Sequence, residues 1–137
     1  MYRRILVPVD LAHTDTLQKA LATAADLAKH YGIEAVYVGV TSSTPDSVAH
    51  TPAEFEAKLK AFAADQASQH GHQATAKAYT TPDPAVDLDD TLMAAIGELS
   101  TDLVVMASHV PNIADYLWPS NGGKIASHAT ASVMIVR

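Results

Sequence analysis

The sequence contains no cysteine. Disulfides, thiolate zinc sites and thiol nucleophiles are thereby excluded. No stretch approaches the roughly 20 consecutive apolar residues that a membrane-spanning helix needs, so no membrane insertion is expected. The opening run, Met1-Tyr2-Arg3-Arg4-Ile5-Leu6-Val7-Pro8-Val9-Asp10, passes from basic to apolar. Its apolar part is too short for a signal-peptide core and is followed at once by an acid. A cytoplasmic location is the expectation. There is also no run of basic residues. Nine Lys and Arg stand against fifteen Asp and Glu, for a formal net charge of −6. That balance argues against nucleic acid as a partner, because binding its phosphates requires Lys and Arg gathered on one face. Internal repeats and low-complexity tracts are absent as well.

What is present suits one domain spanning residues 1–137, with 48 % apolar residues to fill one continuous core and 18 % charged residues. Ile5 to Val9 reads as a strand buried on both faces. Leu17, Leu21, Ala24, Leu27, Ala28 and Tyr31 recur at helical spacing, with Thr14 or Asp15 as the cap and Gly32 at the left-handed position after the end. Ala35 to Val40 is a second strand, and the polar stretch from Thr41 to His50 is the expected mobile loop. Thr51-Pro52-Ala53-Glu54 starts a helix that buries Phe55, Leu59, Phe62 and Ala63 and stops at Gly71. Thr51 is its cap, and Glu54 can reach back to the capping residue.

Gln73 to Tyr79 reads as an edge strand and Asp83-Pro84 as the start of a third helix, with Leu88, Leu92, Ala95, Ile96 and Leu99 inward. Leu103 to Ala107 is a strongly apolar strand expected at the centre of the sheet. A connection over 108–119, a short helix over 120–128 and a last strand over 132–136 complete the chain. Strict alternation of five strands and four helices predicts an α/β fold with a doubly wound parallel sheet. Such sheets bind ligands beyond the carboxyl ends of their strands, where strand order reverses. The loops after Val9, Val40 and Ala107 are therefore the places to search.

Three segments carry a resemblance. They are Ile5-Leu6-Val7-Pro8-Val9-Asp10, then Asp102-Leu103-Val104-Val105-Met106-Ala107-Ser108-His109, and Ser120-Asn121 with His128-Ala129 and Ser132-Val133-Met134-Ile135-Val136-Arg137. In order, spacing and chain length they resemble the universal stress protein family. The stretch from Ala107 to Asn121 is most similar to its short, single-domain, ATP-binding branch. The resemblance implies a Rossmann-like sheet of order 3-2-1-4-5. It also implies ATP or another adenine nucleotide as ligand, with Mg²⁺ or Mn²⁺ held through phosphate oxygens and waters. Pro8, Val9, Asp10 and Val40 would border the adenosine, with Asp10 on the ribose.

ATP-binding relatives carry G-x-x-G, nine residues, then G and Ser, Thr or Asn, because glycine lets backbone N–H groups approach phosphate. This chain departs from that pattern. Ala107 and Val110 occupy the early glycine positions. The late pair is Ser120-Asn121 at the nine-residue spacing, or Pro119-Ser120 one residue shorter, and both alignments stay open. Ser108, His109, Ser120, Asn121 and Gly122, with Gly123 and Lys124 following, are the remaining candidates to hold phosphate. The segment is not a Walker A loop, since Trp118 stands where its first glycine belongs and Ile125 where Ser or Thr would hold magnesium. His109 can equally be an ordinary polar loop residue, and Trp118 can cover the ligand or a partner surface.

His70-Gly71-His72 lacks a third metal ligand and reads as a solvated turn. Asp83, Asp87, Asp89 and Asp90 complement the dipole of the third helix. No metal site of the protein's own is expected. The loop Asp10-Leu11-Ala12-His13-Thr14 lacks the glycines of an adenylating or pyrophosphatase loop, so no enzymatic activity is expected. The last strand would leave an open edge, and the family pairs that strand with its twin. A homodimer through Val133 to Val136 is therefore expected. The function implied is a regulatory dimer that takes the nucleotide as a signal for an unidentified target protein. The alternative is a nucleotide-free interaction or transporter-regulating module.

Overall fold

A computed structural model shows how these segments assemble. It describes residues 1–108 and 121–137, the side chains of 121–124 excepted. Strands β1 (Arg4–Pro8), β2 (Glu34–Thr41), β3 (Ala74–Thr80), β4 (Leu103–Ala107) and β5 (Ser132–Val136) alternate with helices α1 (Gln18–Tyr31), α2 (Pro52–His70), α3 (Pro84–Glu98) and α4 (Asn121–His128). All four strand pairings are parallel, and the order is β3-β2-β1-β4-β5. The doubly wound α/β sheet and its strand order are as the sequence led us to expect. β3 and β5 are the two edges. β1 takes the middle place, and β4 lies beside it in the interior of the sheet, as the expected order has it. An apolar strand signals cover on both faces, which interior positions share, so hydrophobicity alone does not separate the middle strand from its neighbour.

The expected single core is divided by the sheet into two. Side chains alternate across a strand with period two. Ile5, Val7, Ala35, Tyr37, Leu103 and Val105 therefore face Leu17, Leu21 and Ala24 of the first helical segment and Phe55, Leu59 and Ala63 of α2. Leu6, Val36, Val38, Val104 and Met106 face Leu88, Leu92, Ala95 and Ile96 of α3 and Ile125 of α4. A sheet covered on both faces has no alternative, because each face needs its own apolar partner. Leu27, Phe62 and Leu99 are only partly buried, at the margins of these cores.

Helix ends follow local chemistry. Gly32 (φ +65°) and Gly71 (φ +73°) close α1 and α2 in the left-handed conformation, where a β-carbon is disfavoured. Thr51 caps α2 by accepting from the Glu54 amide at 3.1 Å. Glu54 reaches one residue further back than the capping residue: its Oε2 accepts from the His50 amide at 3.1 Å. Neither Thr14 nor Asp15 caps α1. Both lie in a 3₁₀ turn, Thr14–Leu17, that leads directly into the helix. At the amino end of the sheet, Arg4 joins Glu34 (2.8 Å from Nε) and the Leu99 carbonyl (2.7 Å from Nη1), tying β1 to β2 and to the end of α3.

His72 overturns the solvated-turn expectation. The residue is buried, 9 % exposed, and its Nε2 lies 2.8 Å from the Tyr37 hydroxyl. Gly71 turns the chain inward, so a polar residue just past the helix is carried beneath α2 rather than into water. It is a structural histidine, and among the described residues no group of three His, Asp or Glu stands ready for a metal ion. Of the acids expected to complement the dipole of α3, Asp87 lies in the first turn, its Oδ2 accepting from the Asp83 amide at 3.3 Å.

Candidate functional site

Beyond β1 the backbone keeps its sheet bond for one more residue, with Val9 N donating to the Val38 carbonyl at 2.8 Å. The chain then turns at Asp10, which is 4 % exposed. A buried carboxylate needs donors, and two are supplied locally. Asp10 Oδ1 accepts from the Ala12 amide at 3.0 Å, and Oδ2 lies 2.8 Å from His13 Nδ1. The His13 amide donates to the Asp10 carbonyl at 3.0 Å, closing the turn. A carboxylate has room for about four hydrogen bonds, so these contacts leave it able to accept more.

The loop after β2 is less free than its composition suggests. Its second half is tied down by Asp46, whose Oδ1 accepts from the amides of Val48 (2.8 Å) and Ala49 (2.9 Å). The Asp46 amide in turn donates to the Ala49 carbonyl at 3.0 Å. Lys58 Nζ reaches from α2 to the Val48 carbonyl. Ala49 is thereby held in the core against α2. This is the side-chain-capped turn that Asp favours, and it places Val48 over the end of β1.

A cavity of about 100 Å³ lies between these loops, lined by Val9, Asp10, Val40, Asp46, Val48 and Phe55 among others. Leu11, Ala12, Ser47 and Val48 also border a wider cleft of about 520 Å³ that runs along Lys58, Phe62 and Asp65 of α2. The inner cavity is mainly apolar and the outer cleft mixed, with Lys58 and Asp65 on its wall, and concave surfaces of this kind are where small molecules bind. They sit over the carboxyl end of β1. Beside it lies β4, and the chain winds outward in opposite directions from these two strands, which is where such sheets bind ligands.

The structure thus brings Val9, Asp10 and Val40 to one cavity, and Pro8 is the buried last residue of the strand beneath it. Ala107 ends β4, partly buried against the α1 and α2 core. The Ser108 amide is spent on the Val136 carbonyl at 2.8 Å, which leaves its hydroxyl for other partners. His109, Val110, Trp118, Pro119 and Ser120 lie outside the described residues. Asn121, Gly122, Gly123 and Lys124 form the first turn of α4. Two residues were not anticipated: Asp46, which lines the cavity, and His13, which reaches it only through its contact with Asp10. Their signal was positional: His13 stands three residues after the acid that ends the first strand, and Asp46 two before Val48.

The model of the universal stress protein family matches residues 1–137. The chain belongs to that family. Universal stress protein G of Salmonella typhimurium is 27 % identical to it, with all of both chains covered. A universal stress protein solved in complex with cAMP superposes with a TM-score of 0.72 at 18 % identity, covering 99 % of this chain and 97 % of the other. One from Archaeoglobus fulgidus, solved in complex with dAMP, gives 0.66 at 19 % identity over 99 % and 98 %. Those likenesses concern the fold. Within it, this universal stress protein has an acidic residue, Asp10, two positions past the end of β1 and holds it with a histidine.

Proposed function

We propose that this universal stress protein binds an adenine nucleotide in the cavity over β1 and serves as a regulatory module, with the ligand as signal and not as substrate. The observation that carries this is the buried Asp10 in the lining of a cavity at the carboxyl end of β1, beside the switch from β1 to β4. Val9, Val40, Val48 and Phe55 suit the flat faces of a purine, and Asp10 suits ribose hydroxyls, which donate to a carboxylate. The relatives solved with cAMP and dAMP support the ligand class. ATP is the proposed nucleotide, with Ser108, His109, Ser120, Asn121 and Gly122 on its phosphates and any Mg²⁺ or Mn²⁺ held by phosphate oxygens.

The rest of the reading is of one 137-residue domain acting in the cytoplasm, without catalytic residues. It pairs with its twin along β5, an edge strand on which Met134 and Ile135 are 40 % and 39 % exposed. Titration calorimetry with ATP, ADP and AMP tests it. Saturable binding is expected, and weaker binding for Asp10→Asn. No saturable binding at millimolar nucleotide would refute it. One observation favours a nucleotide-free interaction module instead: Asp10 is already engaged by the Ala12 amide and by His13. That alternative predicts a melting temperature indifferent to ATP and ADP.

A further inference from the structure

The outer cleft along α2 opens directly from the nucleotide cavity, since Leu11, Ala12, Ser47 and Val48 line both. The two differ in size. The inner cavity, about 100 Å³, falls below the roughly 300 Å³ at which small-molecule pockets begin, whereas the outer cleft, about 520 Å³, lies within their range. A nucleoside seated at Asp10 therefore protrudes from the inner cavity, and on this side the cleft is the space it enters.

The far wall of the cleft is one face of α2. Lys58, Ala61, Phe62 and Asp65 stand three and four residues apart and run along about 10 Å of helix. The Phe62 ring is set edge-on to Tyr37, with 5.6 Å between centroids, so packing holds this aromatic wall still. The loop opposite is equally fixed, because Val48 is bonded through its amide to Asp46 and through its carbonyl to Lys58. That second bond, with an ion pair to Glu54 at 3.5 Å, occupies the Lys58 ammonium. Among the described residues no other cation lines the cleft, and Asp65 makes no hydrogen bond or ion pair. The cleft is thus pre-shaped, apolar in its middle and negative at its far end. It disfavours phosphate, which needs spare donors, and suits a flat group that is uncharged or carries an amine.

We infer that the outer cleft is a subsite for a flat, apolar or amine-bearing group attached to the base or ribose of the bound nucleoside, so that such adenosine conjugates bind more tightly than adenosine itself. The inference rests on the nucleotide reading above, in which the phosphates lie on the other side, toward Ser108 and α4.

Adenosine is the reference probe. The conjugates are adenosine bearing a benzyl group at the exocyclic amine, at either C–H carbon of the purine or at a ribose oxygen, and the same compounds with an aminomethyl or a carboxylate group on the benzyl ring. Titration calorimetry measures each. At one attachment point or more, the ring should tighten binding roughly tenfold over adenosine, the size that partial burial of an aromatic group leaves after the cost of ordering it. The amine should add about two- to fivefold and the carboxylate lose a similar factor, as exposed charge pairs do. Ala61 is exposed and borders the cleft but not the inner cavity. Ala61→Trp should fill the cleft, abolish the gain from the ring and leave adenosine as in wild type. Asp65→Asn carries the test without added bulk: it should keep the gain from the ring and remove the preference for amine over carboxylate.

No gain at any attachment point overturns this inference alone, and so does a gain that survives Ala61→Trp. Loss of adenosine itself in a folded Ala61→Trp protein also overturns it, because the cleft would then be part of the nucleoside's own seat. A preference for the amine that Asp65→Asn leaves unchanged refutes the role of Asp65. Absence of binding by adenosine and by every conjugate overturns both this inference and the nucleotide reading.

Discussion

Replacing Tyr37 by Phe should destabilise the protein through a single hydrogen bond. Tyr37 is fully buried on β2, with its ring edge-on to Phe62 at 5.6 Å between centroids. Phe keeps that packing. Burial holds the Tyr37 phenol far above its ordinary value, so the hydroxyl stays protonated, and it shares a hydrogen bond with His72 Nε2 at 2.8 Å. The other ring nitrogen, Nδ1, is buried and has no partner among the described residues. Tyr37→Phe would therefore strand the second nitrogen as well. Leaving a buried polar group unsatisfied costs about 1–3 kcal/mol. At roughly 3 °C per kcal/mol for a chain of this size, the melting temperature should fall by about 3–10 °C.

His72→Leu should cost a similar amount by stranding the Tyr37 hydroxyl. The double variant removes both polar groups, so its loss should fall short of the sum by about 0.5–3 kcal/mol. Thermal and urea unfolding followed by circular dichroism measure all four proteins. Acid adds a second signature. Burial first, then the positive charges of His70 and Lys29, hold His72 below its ordinary pKa. The unfolded chain therefore binds this proton more readily than the folded one. Stability is intact above about pH 6.5 and declines as pH falls through the lower folded value. The slope of stability against pH below about 6.5 should be shallower in His72→Leu than in wild type. A Tyr37→Phe protein melting within about 1 °C of wild type, or additive losses in the double variant, would refute the reasoning.

Two further substitutions test the fold and the assembly. A β-carbon at Gly39 would lie 2.8 Å from Phe55 Cζ and 3.2 Å from Leu59 Cδ2; Gly39→Ala should cost about 1–3 kcal/mol by overpacking, read from urea midpoints. Because Phe55 also lines the cavity, the same variant should weaken nucleotide. Ile135→Lys, on the exposed side of the edge strand, should shift a dimer to monomer in sedimentation velocity, with the melting curve of the subunit little changed.

Much of the architecture was legible because its signals are local. The β-branched run at Ile5 to Val9, the Thr51-Pro52 start and the glycines at 32 and 71 each act through their own neighbours. What escaped depends on distant partners. His72 resembles any polar turn residue until Tyr37, 35 positions earlier, is known to lie beside it. The reach of Glu54 to His50 instead of Thr51 is a one-residue shift in the same capping chemistry, below what composition resolves. At the cavity, strand ends pointed to the loops after Val9 and Val40, and the family resemblance supplied Val9, Asp10 and Val40 themselves. His13 and Asp46 could not be named, since they hold loops whose shape follows from their own hydrogen bonds.

The two halves of the proposed site differ in what supports them. On the adenosine side every element is fixed by bonds within the chain: Val9 to Val38, Asp10 to Ala12 and His13, and Asp46 to Val48 and Ala49. That half is preformed, so ordering it adds little to the cost of binding. On the phosphate side the Ser108 amide already serves the sheet by donating to Val136, and Ala107 places a methyl group where a glycine would leave room. A phosphate at this end must take its donors from side chains or from residues beyond Ser108. Affinity on this arrangement is carried mainly by base and ribose, so adenosine should bind nearly as well as its phosphorylated forms.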